Sequence, residues 1–98
     1  MAASRNQLLV LRYLSTCTAP VAGIDVANDL DWVATSSIYA AVSALQARGQ
    51  LTAKWDHTES HPRRMLSIND LGKEAIAEAE YIEARISARI GEPGTGRI

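Results

Sequence analysis

Ser36, Ser37, Tyr39, Ala40 and Ser43 lie within eight residues of one another and bring three hydroxyls, one phenol and one methyl group, with no charge among them. A serine hydroxyl can donate to or accept from any base edge, and an alanine methyl can meet the thymine methyl, so this set suits contact in a DNA major groove. A second set is cationic. Arg63 and Arg64 form the one adjacent cationic pair of the chain, and with Lys54 they suit phosphate or minor-groove contact. The alternative for the first set is a helix packed inside the protein, where small side chains allow close approach.

The element that must carry the first set is a helix beginning near Thr35 or Ser36, either of which can serve as its N-cap. Ile38, Ala41, Val42 and Leu45 recur at helical spacing, and Gly49 stands where a left-handed C-cap ends such a helix. At 100° per residue, Ser36, Ala40, Ser43 and Ala47 fall opposite that apolar stripe, with Ser37, Tyr39 and Ala44 at its edges. An ordinary solvated face would be laced with Glu and Lys.

Two helices precede it. Asn6 to Leu14 has Leu8, Leu9, Leu11 and Leu14 on a broad apolar face, with Ser4 as N-cap. Pro20 and Gly23 interrupt the pattern, and Ile24 to Leu30 forms a short second helix with Ile24, Ala27 and Leu30 turned inward. Two helices joined by a short link, the second with a small uncharged outer face, outline a helix-turn-helix. Beyond Gly49 the period changes to two. Leu51, Ala53 and Trp55 alternate with Thr52, Lys54 and Asp56, and after a polar loop through Pro62, Leu66 and Ile68 alternate with Met65 and Ser67. Helix, strand, basic loop and strand make a β-hairpin wing attached to a recognition helix.

The order of these motifs resembles the PadR-type family of winged helix-turn-helix transcriptional regulators. Pro20 and Gly23 match the family's Pro-x-x-Gly at the second helix, and Ser36, Ser37, Ile38 and Tyr39 match its recognition-helix run. Leu45 and Gly49 match the end of that helix, Trp55 the strand-borne Trp, and Pro62, Arg63 and Arg64 the basic return side of the wing. Asn69, Asp70 and Gly72 to Ala75 match the start of the helix that follows. The chain departs from the family's habits at Ala22, Ile24, Ala40, Met65 and Leu66. The resemblance covers about Leu8 to Ala79 and implies double-stranded DNA as partner and a homodimer joined through C-terminal helices.

Asn69 or Asp70 caps that last helix, which runs to about Ile90. Leu71, Ala75, Ala79, Ile82, Ile86 and Ile90 share one stripe, with Ile76 and Tyr81 outside it. Ile82, Ile86 and Ile90 lie past what a compact winged domain can cover, so they are expected to meet a partner helix. The expected fold is thus α+β and mainly helical. A winged helix-turn-helix domain takes residues 4–68, a dimerisation helix 69–90, and a Gly- and Pro-rich disordered tail 91–98.

Composition narrows the function further. Ninety-eight residues make one domain, and no apolar run reaches the roughly 20 residues of a membrane span, so a soluble cytoplasmic protein is expected. The net charge of −1 is unevenly spread. Residues 1–68 hold ten Lys, Arg, Asp and Glu side chains plus Glu59, netting +1, while residues 69–98 net −2. Cys17 is the single cysteine, which rules out an internal disulfide or a multi-thiolate metal cluster. Asp56, His57, Glu59 and His61 cluster in the loop between the strands, but a hairpin tip rarely fixes ligand geometry, so no metal or other cofactor is expected there. No nucleophile elbow and no Gly-rich phosphate loop follows a strand, so the chain is not expected to be an enzyme. Trp55 is expected to cover the core face of the sheet and Trp32 to staple the helical turn. A small aromatic effector held between aromatic side chains is the alternative for that pair. The expected activity is repression of transcription at a pseudo-palindromic operator. The alternative is a winged-helix module that binds protein rather than DNA, an adaptor or antirepressor, favoured by the slightly acidic balance.

Overall fold

A computed structural model describes residues 3–58 and 60–90, with the side chain of Ile90 and the 91–98 tail outside that description. Helix α1 (Arg5–Ser15) opens on a capping box: Ser4 Oγ accepts from the Gln7 amide and Gln7 Oε1 accepts from the Ser4 amide. A two-residue strand β1 (Val21–Ala22) leads into α2 (Gly23–Asp29), a turn, and α3 (Thr35–Ala47). The hairpin β2 (Leu51–Asp56) and β3 (Arg63–Ile68) follows, then the long α4 (Asp70–Ile90). All three strands pair antiparallel in the order β1-β3-β2, so β1, absent from the sequence reading, turns the wing into a three-stranded sheet. No helix of the described residues is long and apolar enough to cross a membrane.

The core lies where the three first helices meet the inner face of that sheet. Leu11, Leu14, Val26, Ile38, Val42, Leu45 and Leu66 are fully or almost fully buried there. Val10 joins them, while Leu8 and Leu9 of the expected face are only half-buried. Ile24, expected inward, is 47% exposed.

Helix ends are set by specific contacts. Gly49, at φ +72°, closes α3: its own amide donates to the Gln46 carbonyl, and the Gln50 amide donates to the Leu45 carbonyl at 2.9 Å. These two bonds make a Schellman C-cap. At the other end of α3 the N-cap is Ala34 and no side chain caps it. Thr35 and Ser36 therefore lie inside the first turn rather than at the cap position. Asn69 caps α4, accepting from the Gly72 amide at 3.0 Å while donating to the Gly49 carbonyl at 2.8 Å. Gly72 is buried, and a methyl there would overlap the Gln50 carbonyl oxygen and come within 2.7 Å of Ile68 Cγ1. Only glycine lets α4 approach this closely.

Past that point α4 touches the body through Ala75 and Ile76, and an ion pair from Arg12 to Glu83 at 2.9 Å ties it to α1. Ile76, off the stripe, packs inward beside Ala75, whereas Leu71, Ile82 and Ile86 on the stripe are exposed.

Candidate nucleic-acid interface

One face of α3 stands free. Ile38, Ala41, Val42 and Leu45 are buried against α1, α2 and the sheet, which leaves Ser36, Ala40, Ser43 and Ala47 exposed on the opposite side. The two edges of that face meet different neighbours. Ser37, half-buried, and Ala40 border a notch formed with Ser4, Asn6 and Gln7 at the start of α1. Tyr39 and Gln46 lie on the other edge, toward the wing. Gln46 Oε1 accepts from Arg64 Nη1 at 3.4 Å, and the Tyr39 ring packs on Gly23, whose added Cβ would stand 3.5 Å from Tyr39 Cε1. A surface pressed on α3 would thus be flanked by α1 on one side and the wing on the other.

That framing is a winged helix-turn-helix.

Among solved structures, this fold is similar to that of a PadR family transcriptional regulator from Eggerthella lenta, with a TM-score of 0.73, 23% identity, and 94% of this chain aligned to 86% of that one. A PadR family regulator from Clostridium difficile aligns with a TM-score of 0.70 at 13% identity, over 89% of this chain and 94% of that one. The winged-helix likeness extends to the MepR A103V mutant from Staphylococcus aureus, with a TM-score of 0.76 at 13% identity over 95% of this chain and 66% of that one. No protein-family model and no curated protein sequence matches the chain.

Within the wing, cross-strand register sorts the cations. Trp55 pairs with Arg64 and Lys54 with Met65, so Arg64 and Trp55 share the face that looks toward the helices, while Lys54 lies on the reverse face with Arg63. Lys54 is therefore not brought together with Arg64. Arg63 reaches across to Asp25 in the first turn of α2, at 3.1 Å. Sequence spacing gave no sign of either the Arg63–Asp25 pair or the Arg64–Gln46 bond, because both join segments far apart along the chain.

Two sequence expectations for the tryptophans fail here. Trp55 does lie on the core face of β2, but the helical layer ends before reaching it, and the ring is 61% exposed and stacked on His57 with centroids 6.4 Å apart. Trp32 is 68% exposed, so it does not staple the turn between α2 and α3. That turn is fastened from α1 instead: the Tyr13 hydroxyl donates to Asp29 Oδ2, and this bond, reinforced by burial, pushes the phenol up to about 12. At the wing tip the Thr58 amide donates to Asp56 Oδ1 at 3.0 Å and holds that carboxyl below its usual range.

Proposed function

We propose that this chain is a double-stranded DNA-binding transcriptional regulator, a repressor that acts as a homodimer on a pseudo-palindromic operator. The observation that carries this reading is the outer face of α3: Ser36, Ala40 and Ser43 stand exposed and uncharged between the start of α1 and a wing bearing Lys54, Arg63 and Arg64. Small side chains let the helix lie deep in a major groove, where serine hydroxyls meet base edges, while the wing cations hold the flanking phosphates. Tyr39 adds its phenol at the wing-side edge. Two such helices, about one helical turn apart, would cover a site and exclude polymerase from it.

The dimer reading rests on α4. Leu71, Ala75, Ala79 and Ile82, with Leu8 of α1, line an open groove of about 360 Å³ that Ile86 extends. Charge along α4 is polarised: Asp70, Glu74, Glu78 and Glu80 outweigh Lys73 in its first half, and Arg85 and Arg89 outweigh Glu83 in its second. Two copies paired antiparallel would bring acid against base at both ends, as a two-fold interface requires. Ile90 belongs to the same proposed seam.

The test is fluorescence anisotropy with a random-sequence duplex at low and moderate salt, with the mass in solution recorded alongside. Salt-sensitive binding by a dimer is expected. About six wing cations per dimer set a slope of log K against log salt of about −5. Replacing Arg63 and Arg64 with Ala should remove most of that slope. No binding at low salt would favour the protein-interaction alternative. The engagement of Arg63 by Asp25 is the observation that speaks for that second reading.

A further inference from the structure

Between the wing and the α2–α3 unit lies a cleft of about 300 Å³ whose composition sets it apart from the rest of the surface. Tyr39, Trp55 and Ile24 form its apolar walls, and Arg63 and Arg64 stand at its rim. Gly23 is part of the same lining, packed under the Tyr39 ring. Trp55 and Ile24 are 61% and 47% exposed among the described residues, although both sit on strand or helix positions that would normally turn inward. Exposing a tryptophan and an isoleucine side by side has a solvation cost, roughly 25 cal/mol for each Å² of apolar area left in water. The guanidinium groups beside them exclude a purely apolar occupant.

We propose that this cleft receives the sugar–phosphate backbone of duplex DNA, one deoxyribose against the Trp55 ring and its phosphate against Arg64. The inference rests on the DNA-binding reading above and assigns Trp55 as a contact that the cationic residues alone do not supply. Three observations point to the backbone of a duplex as occupant. The cleft is continuous with the outer face of α3, since Tyr39 lies on the edge of that face and Arg64 bonds to Gln46 on the same edge. Its chemistry alternates apolar and cationic over a short distance, as the C–H faces of deoxyribose alternate with phosphates along a strand. Among the described residues, the acids nearby, Asp25 and Asp56, lie on the Arg63 side of the wing rather than on the Trp55–Arg64 side. The His57 ring stacked on Trp55 stiffens the wall.

Because sugar and phosphate carry no sequence information, a random-sequence duplex at low salt is a sufficient probe. Trp32→Phe leaves Trp55 as the single tryptophan of the full-length chain, so its emission reports this cleft alone. Saturating duplex should lower the acrylamide quenching constant of Trp55 by about half, on the scale of an aromatic ring entering an interface. A free deoxynucleotide at the same phosphate concentration should leave it unchanged, which separates the duplex from small phosphates as the source. Trp55→Ala should weaken duplex affinity about tenfold with an unchanged salt slope, whereas Arg64→Ala should lower the slope by about one per protomer. Trp55→Phe should recover most of the loss, and circular dichroism and Tm should be those of the parent in every variant. Full quenching of Trp55 in the saturated complex, or parent-like affinity of Trp55→Ala, overturns this assignment while leaving the DNA reading intact. A parent chain that shows no salt-sensitive duplex binding overturns the DNA reading, and the Trp55 contact with it.

Discussion

Helices α3 and α4 each carry an apolar stripe, buried on α3 and largely exposed on α4, and what the two show to water is opposite in kind. α3 shows water Ser36, Ala40, Ser43 and Ala47, all small and uncharged. α4 shows Leu71, Ile82 and Ile86 among carboxylates and guanidinium groups. A small neutral face suits a surface that is itself polar and highly charged, because it lets that surface come close without burying an unpaired charge. A large apolar stripe suits another helix, since burying branched side chains from both partners is what holds two helices together. On the proposed function one chain would carry two docking surfaces with distinct physics, and they can be broken separately.

The largest effect is expected from exchanging the character of these faces. Ala40→Glu with Ser43→Glu places two carboxylates where phosphates and base edges would lie, and like charge at an interface costs several kcal/mol. Duplex affinity should fall at least about a hundredfold, while the mass in solution and the Tm stay unchanged. Ile82→Glu with Ile86→Glu should do the reverse to assembly, converting a dimer into a monomer by sedimentation. An unchanged mass would remove α4 as the seam.

Next in size is the joint that sets α4 against the body. Gly72→Ala gains helix propensity, worth about 1 kcal/mol, but forces a methyl into the Gln50 carbonyl and Ile68. Overpacking against backbone should win, lowering stability by about 2 kcal/mol and Tm by about 10 °C in a domain of this size. A Tm at or above that of the parent would mean that α4 can pivot away at little cost.

The comparison of α3 with α4 also explains what the amino-acid order made legible. Periodicity tells which side of an element is apolar, and on that basis the stripes of α3 and α4, the wing strands, the Ser4 cap and the Gly49 terminus could all be read. Periodicity does not tell whether anything lies opposite that side. Trp55 and Ile24 occupy inward-type positions yet are 61% and 47% exposed, because whether an opposing layer covers such a position is a matter of tertiary structure. β1 itself was hidden because two residues carry no period, and its partners, Met65 and Leu66, are remote in sequence. The start of α3 was misread for a related reason. Thr35 and Ser36 are residue types that favour caps, but the preceding turn hands that place to Ala34. For the candidate interface, residue types identified the α3 face and the wing cations, while the partners of those cations, Asp25 and Gln46, needed the tertiary structure.

The smallest effect concerns the link that fixes the α2 end of the helix-turn-helix to α1. Tyr13 donates its phenolic proton to Asp29, and a tyrosinate cannot make that bond and would face the carboxylate charge as well. Its pKa in the folded protein is therefore raised, to about 12 from an ordinary 10. A raised pKa means the unfolded chain loses the proton first. The stabilisation is complete below about pH 10 and disappears as the pH climbs toward about 12. Because Asp29 is exposed, solvent screening limits the contribution to under about 1 kcal/mol. In the tyrosinate absorbance difference between the parent and Tyr13→Phe, the Tyr13 step should fall near pH 12. Asp29→Asn should bring it down toward the ordinary 10, because the amide oxygen accepts the proton more weakly and carries no charge to repel the phenolate. A Tyr13 step near the ordinary value of 10 would show that the hydroxyl is not held by Asp29, and that end of α2 would then be held by the packing of Val26, Ala27 and Leu30.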